Sequence, residues 1–114
     1  MTRDAHPDPA LIWSPFANVD QARQAAETLV REELVACANI LPGMVSVFRY
    51  EGAVQSESEV AALFKTSADL LDAATARLAQ IHPYDTPAIC GWVAGNAPPE
   101  TRAWLAATLN EEQT

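Results

Sequence analysis

Residues 36–66 read ACANILPGMVSVFRYEGAVQSESEVAALFKT, and this stretch decides the fold. It opens on the apolar run Ala36–Leu41, which Pro42-Gly43 halts. Such a pair inside an extended segment marks a bulge or an edge strand. Met44 to Tyr50 then resumes with β-branched and aromatic residues, and Glu51-Gly52 is a turn signal. Beyond it, Val60 to Phe64 forms a second apolar run leading to Lys65-Thr66. The two runs flanking Gly52 predict one long β-hairpin.

Both flanks of the hairpin read as strand followed by helix. Upstream, Ala10–Ser14 is a short apolar strand stopped by Pro15. Asn18 followed by Gln21 is a capping-box pattern, and Val19, Ala22, Ala26, Leu29 and Val30 then recur at helical spacing, predicting a helix over 19–33. Downstream, Thr66 with Asp69 repeats the capping-box pattern. Leu70, Leu71, Ala74, Leu78 and Ile81 continue as a helical stripe that His82-Pro83 must end, because proline disfavours helical geometry in the residue before it. Pro87 opens a last strand, Ala88–Val93, and Pro98-Pro99-Glu100 begin a final helix through Trp104, Leu105 and Leu109. Residues 1–9 read as a flexible tail, and 10–111 as one domain.

The order strand, helix, strand, strand, helix, strand, helix is an α+β plan. It is the split-βαβ, ferredoxin-like arrangement with an added C-terminal helix. Right-handed crossovers then give an antiparallel sheet ordered 4-1-3-2 with both main helices on one face. The other face stays apolar and uncovered, which implies association between copies.

Composition narrows the function classes. Of 114 residues, 49% are hydrophobic and 19% charged, which is ordinary for a globular chain. Fifteen acids against seven Lys plus Arg leave a net charge of −8, so nucleic acid and anionic membranes are disfavoured as partners. Two cysteines make no disulfide framework. No apolar stretch reaches the roughly 18 residues of a spanning helix, and residues 1–10 are too polar for a signal peptide, so a reducing cytoplasmic setting is expected. With four glycines and no Gly-rich phosphate loop or GxSxG elbow, no enzyme chemistry is indicated, and no organic cofactor.

Four motifs taken together, Ala36-Cys37-Ala38-Asn39-Ile40-Leu41-Pro42-Gly43, Phe48-Arg49-Tyr50-Glu51-Gly52, Lys65-Thr66 and His82-Pro83-Tyr84-Asp85-Thr86-Pro87, resemble the CutA (CutA1) divalent-cation tolerance family in register over residues 10–110. The resemblance implies a homotrimer, related in shape to the trimeric PII signalling proteins, and a role in divalent metal tolerance, chiefly of copper. Ser14 stands where many members carry cysteine, and Tyr50 where a tryptophan is common.

The candidate site residues follow. Cys37 offers a soft thiolate for copper or zinc, against a reading as a small buried hydrophobe. His82 offers an imidazole, against a capping role at a helix C-terminus. His6 lies in the tail, and Cys90 reads as core. A Cys37–Cys90 bridge within one chain is excluded by this topology: the two strands lie about 14 Å apart across the sheet, against the roughly 7 Å a disulfide allows. Lys65, the only lysine, is a point charge for an anionic ligand or the partner of a hairpin acid. Tyr84, in a loop braced by Pro83 and Pro87, and Tyr50 join it as candidate contacts. An alternative function is therefore a PII-like trimeric sensor binding a small anion in inter-subunit clefts.

Overall fold

The computed structural model describes residues 6–111. Its elements are β1 (Pro9–Phe16), α1 (Val19–Arg31), β2 (Cys37–Tyr50), β3 (Ala53–Ser67), α2 (Leu71–Ile81), β4 (Cys90–Val93) and α3 (Pro99–Thr108). The strands form one antiparallel sheet in the order β2-β3-β1-β4, which is the 4-1-3-2 order expected from the succession of elements.

The hairpin is long because its turn is tight. Glu51 and Gly52 take φ of 50° and 79°, the left-handed pair whose twist matches that of the flanking strands. From Tyr50 opposite Ala53 the ladder runs to Cys37 opposite Lys65, broken only by a register shift between Leu41 and Met44. Pro42-Gly43 makes that shift, with Gly43 at φ 84°. Outside the shift, Val45, Val47 and Val54 are each 69% exposed. This arm stretches the molecule to 54 Å and its radius of gyration to 15.6 Å, against about 13 Å for a compact chain of this length.

Strict alternation separates the two sheet faces. On one, Ile12 and Phe16 of β1 and Val60, Ala62 and Phe64 of β3 meet Ala22, Ala25, Ala26 and Leu29 of α1 and Ala74 and Leu78 of α2. Alanine-rich helix faces allow close approach to the sheet. Gly91 carries the same logic further, since a Cβ there would lie 2.8 Å from Leu71 Cδ1. On the other face, Cys37, Lys65, Leu11 and Trp92 form one row across the sheet, and Asn39, Leu63, Trp13 and Cys90 the next. α3 adjoins this face at its Leu11–Lys65 end.

Several boundaries differ from the sequence reading, each for a physical reason. Residues 8 and 9, read as part of a loose tail, are tied down: the Asp8 carbonyl accepts from the Ala68 N–H at 2.8 Å, Asp8 pairs with Arg102, and Pro9 opens β1. Residues 1–5 of that tail lie outside the described residues. Pro15 does not stop β1, because β4 pairs only with Ala10–Trp13 and leaves the proline nitrogen facing no partner strand. Thr66 caps no helix. It is a fully buried strand residue whose Oγ1 donates to the Leu34 carbonyl at 2.7 Å, and α2 starts at Leu71 with no side-chain cap. β4 starts at Cys90 rather than Ala88, whose carbonyl instead accepts from Ser14 Oγ at 2.8 Å.

α1 does begin at its expected cap, with Asn18 accepting from the Gln21 N–H at 2.8 Å. It ends at Arg31, two residues early. Glu33 takes φ 59°, and the N–H groups of Glu33 and Leu34 bond back to the carbonyls of Val30 and Leu29. This is a Schellman closure with glutamate where glycine is usual, so no glycine signal marked it.

Candidate functional site

The densest polar constellation lies where the chain leaves α2. His82, 7% exposed, stacks on Phe16 with ring centroids 4.2 Å apart. Its Nε2 donates to the Pro15 carbonyl at 2.9 Å and its Nδ1 accepts from the Tyr84 N–H at 3.1 Å, an arrangement that requires the neutral Nε2–H tautomer. Burial pushes this imidazole below its usual pKa, and the Pro15 carbonyl and Glu59 offset that only in part. Tyr84, bracketed by Pro83 and Pro87, donates its hydroxyl to Glu59 Oε2 at 2.5 Å. Burial first, and then the Glu59 carboxylate, drive the phenol above its ordinary range, so it stays a donor.

This geometry bears directly on metal binding. Both ring nitrogens of His82 are engaged within the chain, and Ser14 is fully buried and spends its hydroxyl on Ala88. Cys37 is a free, half-buried thiol on edge strand β2. It lies four residues along β2 from Leu41, the residue in line with Ala61 and Pro15, or about 13 Å along the strands and about 10 Å across them from the His82 end. Among the described residues no three His, Cys, Asp or Glu side chains cluster as a metal cage. One chain by itself therefore does not assemble the Cys37 and His82 candidates into a site.

Nor does it unite the anion candidates. Tyr84 sits at Glu59, six residues from Lys65 on β3, about 20 Å away, and Tyr50 is 56% exposed beside the hairpin turn. The Lys65 side chain, expected to pair with a hairpin acid, has no ion pair or hydrogen bond among the described residues. It lines a cavity of about 240 Å³ with Leu11, Thr101, Trp104 and Leu105. Glu59 and this cavity were not legible in the sequence. Glu59 is one of two alternating acids, with Glu57, on an exposed-looking strand, and the cavity joins residues about ninety positions apart.

The profile of the family described as CutA1 divalent ion tolerance protein matches residues 10–108. The chain belongs to the CutA1 family. Among its relatives, the divalent-cation tolerance protein CutA of Thermus thermophilus is 36% identical over 95 residues, which is 83% of this chain and 90% of that protein. The chloroplastic protein CutA of Arabidopsis thaliana is 37% identical over 79 residues, 69% of this chain, and the match spans only 43% of that longer protein. The crystal structure of the divalent ion tolerance protein CutA1 from Ehrlichia chaffeensis superposes with a TM-score of 0.87 at 31% identity, covering 90% of this chain and 96% of that one. Within this CutA1-family chain, no helix among the described residues is long and apolar enough to cross a membrane.

Proposed function

We propose that the chain serves divalent-metal tolerance, with copper as the foremost metal. It acts as a homotrimer of ferredoxin-like subunits that holds metal weakly at subunit boundaries, in a reducing, cytoplasmic setting and without enzymatic turnover. The observation that carries the reading is the family match over residues 10–108, shared with relatives named for divalent-cation tolerance.

Two features support the finer parts. Leu41, Trp92 and Val93 are 46–54% exposed, and Leu41 and Trp92 lie on the helix-free face, so a second copy is the natural cover for this apolar surface. The dispersal of ligands within one chain makes a shared site the economical solution, since threefold symmetry repeats a sparse ligand set. Cys37, on the β2 edge, is the thiolate such a site would use, while His82 joins only by giving up the Pro15 or Tyr84 bond.

Equilibrium titration with Cu(I), Cu(II) and Zn(II), run on the wild-type chain and on Cys37→Ser, tests the metal reading. Affinity for at least one ion falls about tenfold in the variant when the thiolate is a ligand. Equal affinity in both proteins, or a single-chain particle in sedimentation at micromolar concentration, sinks the proposal.

A further inference from the structure

We propose that the Tyr84–Glu59 hydrogen bond is a brace that sets the direction of the hairpin arm, so that the 82–87 loop controls how tightly three copies hold together. The inference rests on the trimeric reading above and adds a regulatory part to it.

The arm starts at Glu59. β1 lines β3 from Ser67 to Val60, where Phe16 makes the last pairing, so up to that point β3 is held on both sides. Beyond it only β2 remains, and Met44–Tyr50 against Glu59–Ala53 is a two-stranded ribbon. Such ribbons twist more strongly than strands within a sheet and have little stability of their own. The register shift between Leu41 and Met44 falls at the same junction, and a bulge bends the strand that carries it. Ladder hydrogen bonds run between the strands, so they fix the spacing of the ribbon rather than the angle at which it leaves the sheet.

Glu59 supplies the missing restraint. It is the first residue of the ribbon on β3, opposite Met44, and is half-buried where residues 53–58 are all exposed. The Tyr84 hydroxyl donates to its Oε2 at 2.5 Å. No other side-chain hydrogen bond or ion pair joins residues 44–59 to the rest of the described residues. Tyr84 is itself anchored to the end of β1. Its N–H donates to His82 Nδ1 at 3.1 Å, while His82 Nε2 donates to the Pro15 carbonyl at 2.9 Å and the ring stacks on Phe16. Since Phe16 also pairs with Val60, β1, the loop and the ribbon close a triangle around the hinge. Burial and the Glu59 carboxylate both keep the phenol protonated, so the brace remains a charge-assisted bond.

Direction matters because of what the arm carries. Val45, Val47 and Val54 are each 69% exposed and Tyr50 56%, so in a trimer these side chains seat on neighbouring copies. A contact between unlike patches closes into a ring only when its rotation is right. A tilt at Glu59 is magnified at Tyr50, about 20 Å further along the arm, so releasing the brace misaligns all three contacts at once.

Sedimentation over a concentration series, on the full chain and on its Tyr84→Phe, Glu59→Ala and double variants, tests the brace. Each single substitution weakens trimerisation about tenfold, and the double variant is no weaker than either single one, because both remove the same bond. At concentrations where the trimer persists, hydrogen exchange quickens at residues 44–59 in each variant, while the amides of β1 and of residues 60–67 keep their protection. A single-chain wild type overturns the trimeric reading and this inference with it. A wild-type trimer that Tyr84→Phe leaves equally tight overturns this inference alone. So do additive losses in the double variant, or a Tyr84→Phe chain without native circular dichroism, in which the bond would be holding the fold rather than the arm.

Discussion

Glu33 and Asn110, each the left-handed residue that closes a helix, are hydrogen-bonded to one another: the Asn110 side-chain amide donates to the Glu33 carboxylate. Glu33 ends α1 at φ 59°, and Asn110 ends α3 at φ 58°. The contact joins two Schellman closures 77 residues apart in sequence, beside the small cluster in which Leu105 and Leu109 pack on Ala36. It adds a polar tie to the packing of Leu105 and Leu109 on Ala36 and Leu70 that seats α3.

Replacing Asn110 tests that joint. Alanine cannot make the bond and pays the left-handed strain without local compensation, so Asn110→Ala destabilises by about 1–2 kcal/mol. Asn110→Gly loses the bond but relaxes the backbone, and costs under about 0.5 kcal/mol. Urea midpoints at constant slope measure both. Equal losses would show that the backbone conformation is not the controlling feature.

Protonation of His82 should lower the stability of the fold. Its folded pKa lies below that of the unfolded state because burial disfavours the cation. Between the two values the unfolded chain binds the extra proton, so stability is complete above the unfolded value near 6.5 and declines as pH falls toward the depressed folded value. Thermal scans from pH 8 to pH 5 follow this decline. His82→Gln flattens the fall below pH 6.5 relative to wild type; an unchanged slope would remove the histidine from the explanation.

Thr66 supplies a hydroxyl to an otherwise orphaned carbonyl. Thr66→Val keeps the shape of a fully buried side chain but removes the donor to the carbonyl of half-buried Leu34, costing about 1–3 kcal/mol. Thr66→Ser keeps the donor and loses only a methyl group, about 1 kcal/mol. Chemical denaturation ranks the two, and a valine variant no weaker than the serine one would contradict the role.

The helix-free face offers a direct test of assembly. Leu41 and Trp92 are 54% and 46% exposed in one chain, so Leu41→Asp with Trp92→Asp should leave the subunit fold intact by circular dichroism. Charges on a face proposed to lie between copies should lower the mass in sedimentation from three chains to one. A trimer that survives both substitutions would put its interface elsewhere.

Much of the architecture was readable from residue pattern alone. Glu51-Gly52 announced the turn, Pro42-Gly43 the shift in register, and Asn18 with Gln21 the start of α1, because each is a local device whose chemistry is complete within a few residues. Thr66 with Asp69 has the same local form and misled, since the Thr66 hydroxyl meets Leu34 across a tertiary contact before any helix can use it. Pro15 misled for a related reason: whether a proline interrupts a strand depends on which neighbour its nitrogen faces. Glu33 gave no sign of ending α1, as nothing in a glutamate marks a left-handed residue.

By itself, then, the sequence determined the order of elements, the path of the sheet and the uncovered apolar face, which follow from periodicity and short-range stereochemistry, while its motifs carried the resemblance to the family. The tertiary structure alone decided that His82 is engaged at both nitrogens, that Tyr84 answers to Glu59, that Cys37 stands far from His82, and that Lys65 pairs with no acid among the described residues. Those facts depend on distances between residues remote in the chain, and pattern carries no information about a distance until the chain has closed on itself.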